Sequence, residues 1–101
     1  MQRNQVVLCG QVIEIDSLRF TPAGIPLMQL KLMHTSEQVE NGVSRKVECE
    51  VEVMALGQAG QKASELKVGE SVCLNGFLAR KHRLSSHLVL HVNELKRFVA
   101  E

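Results

Sequence analysis

The segment Thr21-Pro22-Ala23-Gly24-Ile25-Pro26, set between two long apolar runs, constrains this chain more than any other feature. Pro22 presets φ at the second turn position, and Gly24 can take the positive φ that a sharp reversal needs. Before the turn runs Val6-Val7-Leu8-Cys9-Gly10-Gln11-Val12-Ile13. After it comes Leu27-Met28-Gln29-Leu30-Lys31-Leu32-Met33-His34, where Met28, Leu30 and Leu32 alternate with Gln29, Lys31 and Met33. Period-two alternation on both sides of a turn signal reads as a β-hairpin. Gly10 removes a side chain where a strand can bulge or bend. A long first strand bent at a glycine suits a small closed barrel, because one strand must serve both halves of the sheet.

The rest of the chain supplies the other strands. Segment 37–46 is polar and contains Asn41-Gly42, a strong reversal signal; it reads as a long hairpin loop between the second and third strands. In the third strand Val47, Cys49, Val51 and Val53 alternate with Glu48, Glu50 and Glu52, giving a core face and an acidic face. The spacing of Ala, Gln, Lys, Glu and Leu predicts a short helix over 58–66, weakened by Gly57 and Gly60. Lys67-Val68-Gly69-Glu70 is a turn, and Ser71 to Ala79 is a fourth strand with Val72, Leu74 and Leu78 on one face. Arg80 to His87 connects it to a fifth strand, Leu88 to about Lys96. The order β-β-β-α-β-β, with a helix between strands three and four, is the layout of an all-β, five-stranded oligonucleotide-binding (OB) fold, a Greek-key barrel. No internal repeat, low-complexity tract or linker divides it, so residues 1–101 read as one OB-fold domain.

Composition narrows the function classes. Phe20, Phe77 and Phe98 are the only aromatics apart from histidine, so the core must be aliphatic. The net charge of +1 announces no global basic field, and a nucleic-acid partner would have to be met by a local patch. Met1-Gln2-Arg3-Asn4-Gln5 lacks the apolar core of a signal peptide, and no apolar run is long enough to span a bilayer. A cytoplasmic chain is expected. Cys9, Cys49 and Cys73 are widely spaced and lack the C-x-x-C pairing of a zinc site. They read as small buried hydrophobes in a reducing compartment.

The densest positive patch is Arg80-Lys81-His82-Arg83, followed by His87, at the tip of the last hairpin. In an OB fold this tip, the first hairpin and the loop between strands two and three line the groove that takes a single strand. Arg19, Lys31, Arg45 and Lys46 lie on elements that can converge with it, and such cations follow a phosphate backbone without base-specific geometry. The competing reading is a solvated loop. Glu48, Glu50 and Glu52 share one strand face, about 6–7 Å apart. They suit a charged, solvated edge; a metal-dependent nuclease would need further carboxylates from other elements, and Asp16 is the obvious one. His34 and His91 read as barrel residues. No nucleophile–base order or phosphate-cradling glycine loop stands out, so the chain reads as no enzyme, with no cofactor and no metal.

Taken together, Val7-Leu8-Cys9-Gly10-Gln11-Val12, Thr21–Pro26, Leu32-Met33-His34-Thr35-Ser36, Val68–Phe77 and Leu88-Val89-Leu90-His91 resemble bacterial primosomal replication protein N, the PriB family. That family is related to bacterial single-stranded DNA-binding protein. The resemblance implies an OB-fold homodimer that binds single-stranded DNA and stimulates the PriA helicase among other primosome proteins at replication restart. It places DNA contacts at Arg19 and at Lys81, His82, Arg83 and His87. Glu48 stands where the family has a stacking tryptophan, and Thr35 where it has a basic residue. Phe20 and Phe77 are the remaining candidates for stacking on bases. A general single-strand-binding protein carries a Gly/Pro-rich linker and an acidic tip; here the chain is expected to stop directly after the fifth strand. The alternative is an OB module that contacts protein and holds DNA only marginally.

Overall fold

The turn closes as its residues predict. Thr21 N–H donates to Ile25 O at 2.9 Å, Gly24 N–H to Thr21 O at 2.8 Å, and Ile25 N–H to Thr21 Oγ1 at 3.1 Å. It joins an unexpected two-residue strand, β2 (Arg19–Phe20), to β3 (Pro26–Glu40). This computed structural model describes residues 2–98; Met1 and residues 99–101, on which the expected stop after the last strand rests, lie outside the described residues. The other elements are β1 (Val6–Ile15), β4 (Val43–Leu56), α1 (Gln58–Ala63), β5 (Ser71–Arg80) and β6 (Leu88–Phe98).

Five strands close a ring. β1 pairs with β3, β3 with β4, β4 with β6, β6 with β5, and β5 again with β1. All pairings are antiparallel except β4–β6, which is parallel through Val53↔Leu90, Met54↔His91 and Ala55↔Val92. This is the predicted OB barrel, with its helix between the third and fourth ring strands. The first strand does serve both halves: Val6–Gln11 lie on β5, and Gln11–Ile15 lie on β3. Its register shifts between Val12 and Glu14, not at Gly10. Gly10 instead marks a close crossing, since a Cβ there would collide with the Met33 carbonyl and come 2.9 Å from Leu32 Cγ.

The core is aliphatic, as the composition requires: Val12, Met28, Leu30, Leu32, Val53, Ala55, Val72, Leu74, Leu90, Val92 and Leu95 fill the ring. Ala59, Ala63 and Leu66 extend this core from α1 and the turn after it. The helix ends three residues earlier than expected. Glu65 and Leu66 donate three residues back, to Lys62 O and Ala63 O, so the chain tightens into a turn there. Near the end of β6, Arg97 Nη2 donates to Glu70 Oε1 at 2.5 Å, with Glu65 3.8 Å from Nη1. That guanidinium, helped by the Lys67 N–H, holds the Glu70 carboxyl below its ordinary 4.5.

Two expectations are corrected. Segment 37–46 is not a loop: β3 and β4 run on as a two-stranded arm and turn at Asn41-Gly42 alone, with φ of 52° and 76°. Positive φ at both central residues is the hairpin geometry that matches strand twist, so the ladder continues to Glu40↔Val43 although the arm is mostly solvated. Nor are the cysteines buried free thiols. Cys9 and Cys73 are register partners on the outer face of β1 and β5 and are joined as a disulfide; Cys49 is free and exposed on the arm. Alternation decides this, because Leu8 and Leu74 take the inward positions beside them.

Candidate nucleic-acid interface

The outer face of β3 and β4 is built by the same alternation that builds the core. Met28, Leu30 and Leu32 point inward, so Gln29, Lys31 and Met33 point outward; Val53 and Ala55 point inward, so Glu50, Glu52 and Met54 point outward. The two-residue turn sets the register and places Lys31 opposite Glu52, Met33 opposite Glu50 and Thr35 opposite Glu48. The 81–87 connection folds over this face. Lys81 N–H donates to His87 O at 2.9 Å, which closes the loop, and Lys81 Nζ reaches Glu52 Oε2 at 3.4 Å. A cavity of about 130 Å³ lies beneath, lined among others by Glu14, Asp16, Lys31, Glu52, Lys81 and Val89. A second, of about 410 Å³, is bounded by Glu50, Leu78, His87 and Leu88.

Four of the nine basic candidates are held by carboxylates. Lys31 Nζ lies 3.4 Å from Glu14, Lys81 3.4 Å from Glu52, Arg45 2.6 Å from Glu40 and Lys46 3.1 Å from Glu48. Arg19 donates to the Gln29 side-chain oxygen. Arg80, His82, Arg83 and His87 sit exposed on the loop and its approach, with no carboxylate partner among the described residues. The face is therefore neutral to acidic at its centre and basic along the loop. Arg45 and Lys46 lie on the arm rather than beside that loop.

Both candidate stacking residues point away from the core. Phe20 is largely exposed on β2. Phe77 is 37% exposed on the outer face of β5 and stacks on its register partner His91, ring centroids 5.1 Å apart and planes 4° from parallel. Glu48, Glu50 and Glu52 stay strung along one strand, and among the described residues no three His, Cys, Asp or Glu side chains gather as a cation site.

A family model described as "Another single-strand binding protein family" matches residues 4–94. The replication restart protein PriB of Nitrosomonas europaea is 40% identical over 96 residues, spanning 95% of this chain and 89% of that protein. The chain belongs to the PriB family. PriB of Neisseria gonorrhoeae is 33% identical over 95 residues and spans 94% of each chain. The solved structure of PriB from Ralstonia solanacearum superposes with a TM-score of 0.88 at 29% identity, covering 95% of this chain and 98% of that one. The crystal structure of single-stranded DNA-binding protein from Thermus aquaticus has a TM-score of 0.77 at 22% identity, over 96% of this chain and 50% of that one. It shares the fold.

For this PriB-family chain, the pairing of Lys31 and Lys81 with Glu14 and Glu52 is what sequence reading missed. A signal was present. Had Asn41-Gly42 been read as the whole turn, every β3–β4 partner would follow, including Lys31↔Glu52. Glu14 and Lys31 meet through the β1–β3 register after the bulge, which no local pattern announces.

Proposed function

We propose that this protein is a non-enzymatic, single-stranded DNA-binding adaptor of replication restart, working as a homodimer with a PriA-type helicase and other primosome proteins. The observation that carries the reading is the basic 80–87 segment folded over the outer face of β3 and β4 in a PriB-family barrel. The strand would enter along Arg80, Lys81, His82, Arg83 and His87 and continue past Arg19. Lys31, Arg45, Lys46 and, within the loop, Lys81 would contribute only on release from their carboxylates. Phe20, and Phe77 with His91 behind it, supply the aromatic surface available to bases.

A second reading is favoured by the paired cations and the glutamate row: DNA is held marginally, and the main work is contact with protein. One experiment separates the two. In fluorescence-polarisation titrations of an oligo-dT strand and a duplex across a salt series, the first reading expects a preference for the single strand. Three to four phosphates neutralised per protomer give a log–log slope between about −2 and −3. No binding in dilute buffer would leave only the protein-contacting adaptor.

The homodimer reading rests on an edge that carries no ladder, where among the described residues only the Cys9 carbonyl is taken, by His34. Val6–Gly10 have β5 on one side and no ladder partner on the other among the described residues. An apolar edge of this kind invites a second strand. Light scattering is expected to give twice the chain mass of 11.2 kDa, and the chain mass itself at micromolar concentration would refute it.

A further inference from the structure

Cys9 and Cys73 meet for reasons that the backbone itself supplies. They are direct register partners in the β1–β5 ladder, their Cα atoms are 3.9 Å apart, and their sulfurs are bonded. The Cys9 carbonyl turns away from β5 and accepts a hydrogen bond from His34 Nδ1 at 2.6 Å. Val12, on the opposite alternation, exchanges bonds with Glu70 O and the Gly69 N–H leading into β5. Cys9 and Cys73 are thus a non-hydrogen-bonded cross-strand pair, the arrangement in which facing side chains approach most closely. His34 is fixed in turn, since its Nε2 accepts from Ser36 Oγ at 2.8 Å. The two residues differ in exposure: Cys9 is exposed, Cys73 half-buried.

On its second edge the same segment of β1 has no ladder among the described residues and meets β3 only through contacts such as His34 on the Cys9 carbonyl, so one ladder holds Val6–Gly10 to the barrel. A bond between Cys9 and Cys73 sits inside that ladder and closes a separation of 64 residues. Edge pairing uses backbone groups in the plane of the sheet and leaves outward side chains standing clear of it. Cys9 therefore stays open to small molecules even where a strand is added at the edge.

We propose that Cys9 and Cys73 form a reversible dithiol–disulfide couple, exchanging with a small disulfide such as oxidised glutathione through the accessible Cys9, and that the bond clamps the edge half of β1. In the forward direction the Cys9 thiolate attacks one glutathione sulfur; a Cys9–glutathione mixed disulfide forms and one glutathione thiolate leaves. The Cys73 thiolate then attacks the Cys9 sulfur, forming the internal disulfide and releasing the second glutathione thiolate. Two electrons pass from the cysteines to glutathione disulfide, and the two protons lost by the cysteines are taken up by the departing thiolates. Reduction by glutathione retraces these steps, again entering at Cys9.

The test uses the full chain carrying Cys49→Ser, which removes the third, exposed thiol. Protein equilibrated with glutathione buffers of graded reduced-to-oxidised ratio is acid-quenched, alkylated and weighed. The expected result is concerted loss of both free thiols and full return on reduction. In the same oxidising buffer a Cys73→Ser variant accumulates a glutathione adduct at Cys9, whereas a Cys9→Ser variant is modified at Cys73 far more slowly. Hydrogen exchange at residues 6–11 is slowed several-fold in the oxidised form relative to the reduced one. Both thiols surviving in excess oxidised glutathione, or a stable single adduct on the parent protein, would overturn the couple. Equal adduct formation at the two sites would overturn entry through Cys9, and equal exchange rates would overturn the clamp. None of these readouts depends on DNA binding.

Discussion

Replacing Glu52 by Gln should tighten single-stranded DNA binding and steepen its salt dependence. The carboxylate stands 3.4 Å from the Lys81 ammonium, on a face where Lys31 is its register partner. Gln keeps the side-chain volume and removes only the charge. An exposed ion pair of this kind is worth about 0.2–1 kcal/mol, which Lys81 no longer gives up to meet a phosphate. A phosphate passing about 6 Å from the former carboxylate is also spared roughly 0.7 kcal/mol of repulsion in water. The two effects together come to about 0.9–1.7 kcal/mol, or roughly five- to eighteenfold in Kd. One further full cation should steepen the log–log slope by about 0.7. Polarisation titrations with oligo-dT over a potassium chloride series measure both quantities. Unchanged affinity and slope would show that the strand does not pass between Glu52 and Lys81, and would refute the placement of the groove.

Three further outcomes are expected. Lys81→Ala with Arg83→Ala should weaken DNA binding by roughly a tenfold step or more and leave the thermal melt unmoved, since exposed loop charges carry little fold stability; titration and melting together check it. Gly76→Ala should destabilise the barrel by at least about 1–3 kcal/mol in urea unfolding, because its Cβ would lie against the His91 backbone carbonyl at the β5–β6 register shift, where no flexible side chain can yield. The Glu70–Arg97 pair should give an acid-sensitive contribution: because the folded state holds the Glu70 carboxyl below 4.5, its stabilisation is complete above that value and is lost as pH falls through the lower, folded value. Glu70→Gln should remove that part of the acid limb in pH-dependent melts, and an identical limb would refute it.

The barrel was legible because its determinants are local and periodic. Alternation in β3 and β4, the Thr21–Pro26 turn and the turn residues around Gly69 each act within a few positions, and together they give strand order and core. The arm was misread because its polar, two-sided composition looks like a loop. Asn41 and Gly42 both take positive φ, which makes the reversal in two residues and leaves segments 34–40 and 43–49 to pair. The Cys9–Cys73 pair was hidden for a different reason. It depends on the β1–β5 register, set by barrel closure across 64 residues with no turn between adjacent strands to fix it. The charge pairing of the groove was hidden likewise, since Glu14, Lys31, Glu52 and Lys81 come from three strands and a loop.

The fold also decides which part of this interface is adjustable. Val53 and Ala55 are buried on β4, so the period of two fixes the intervening outward positions, and no shift of register could turn the glutamates inward without exposing the core. The acidic centre is thus tied to the strand that builds the barrel. Lys81, which pairs with Glu52, and the neighbouring His82, Arg83 and His87 instead sit on a connection whose side chains contribute nothing to the core cluster. Substitutions there change charge at little cost in stability, while substitutions at Glu48, Glu50 or Glu52 change it on the β3–β4 ladder. Loop changes should therefore appear mainly as changes in salt slope. Strand changes should also move the part of the affinity that persists at high salt if the proposed path of the strand crosses this face.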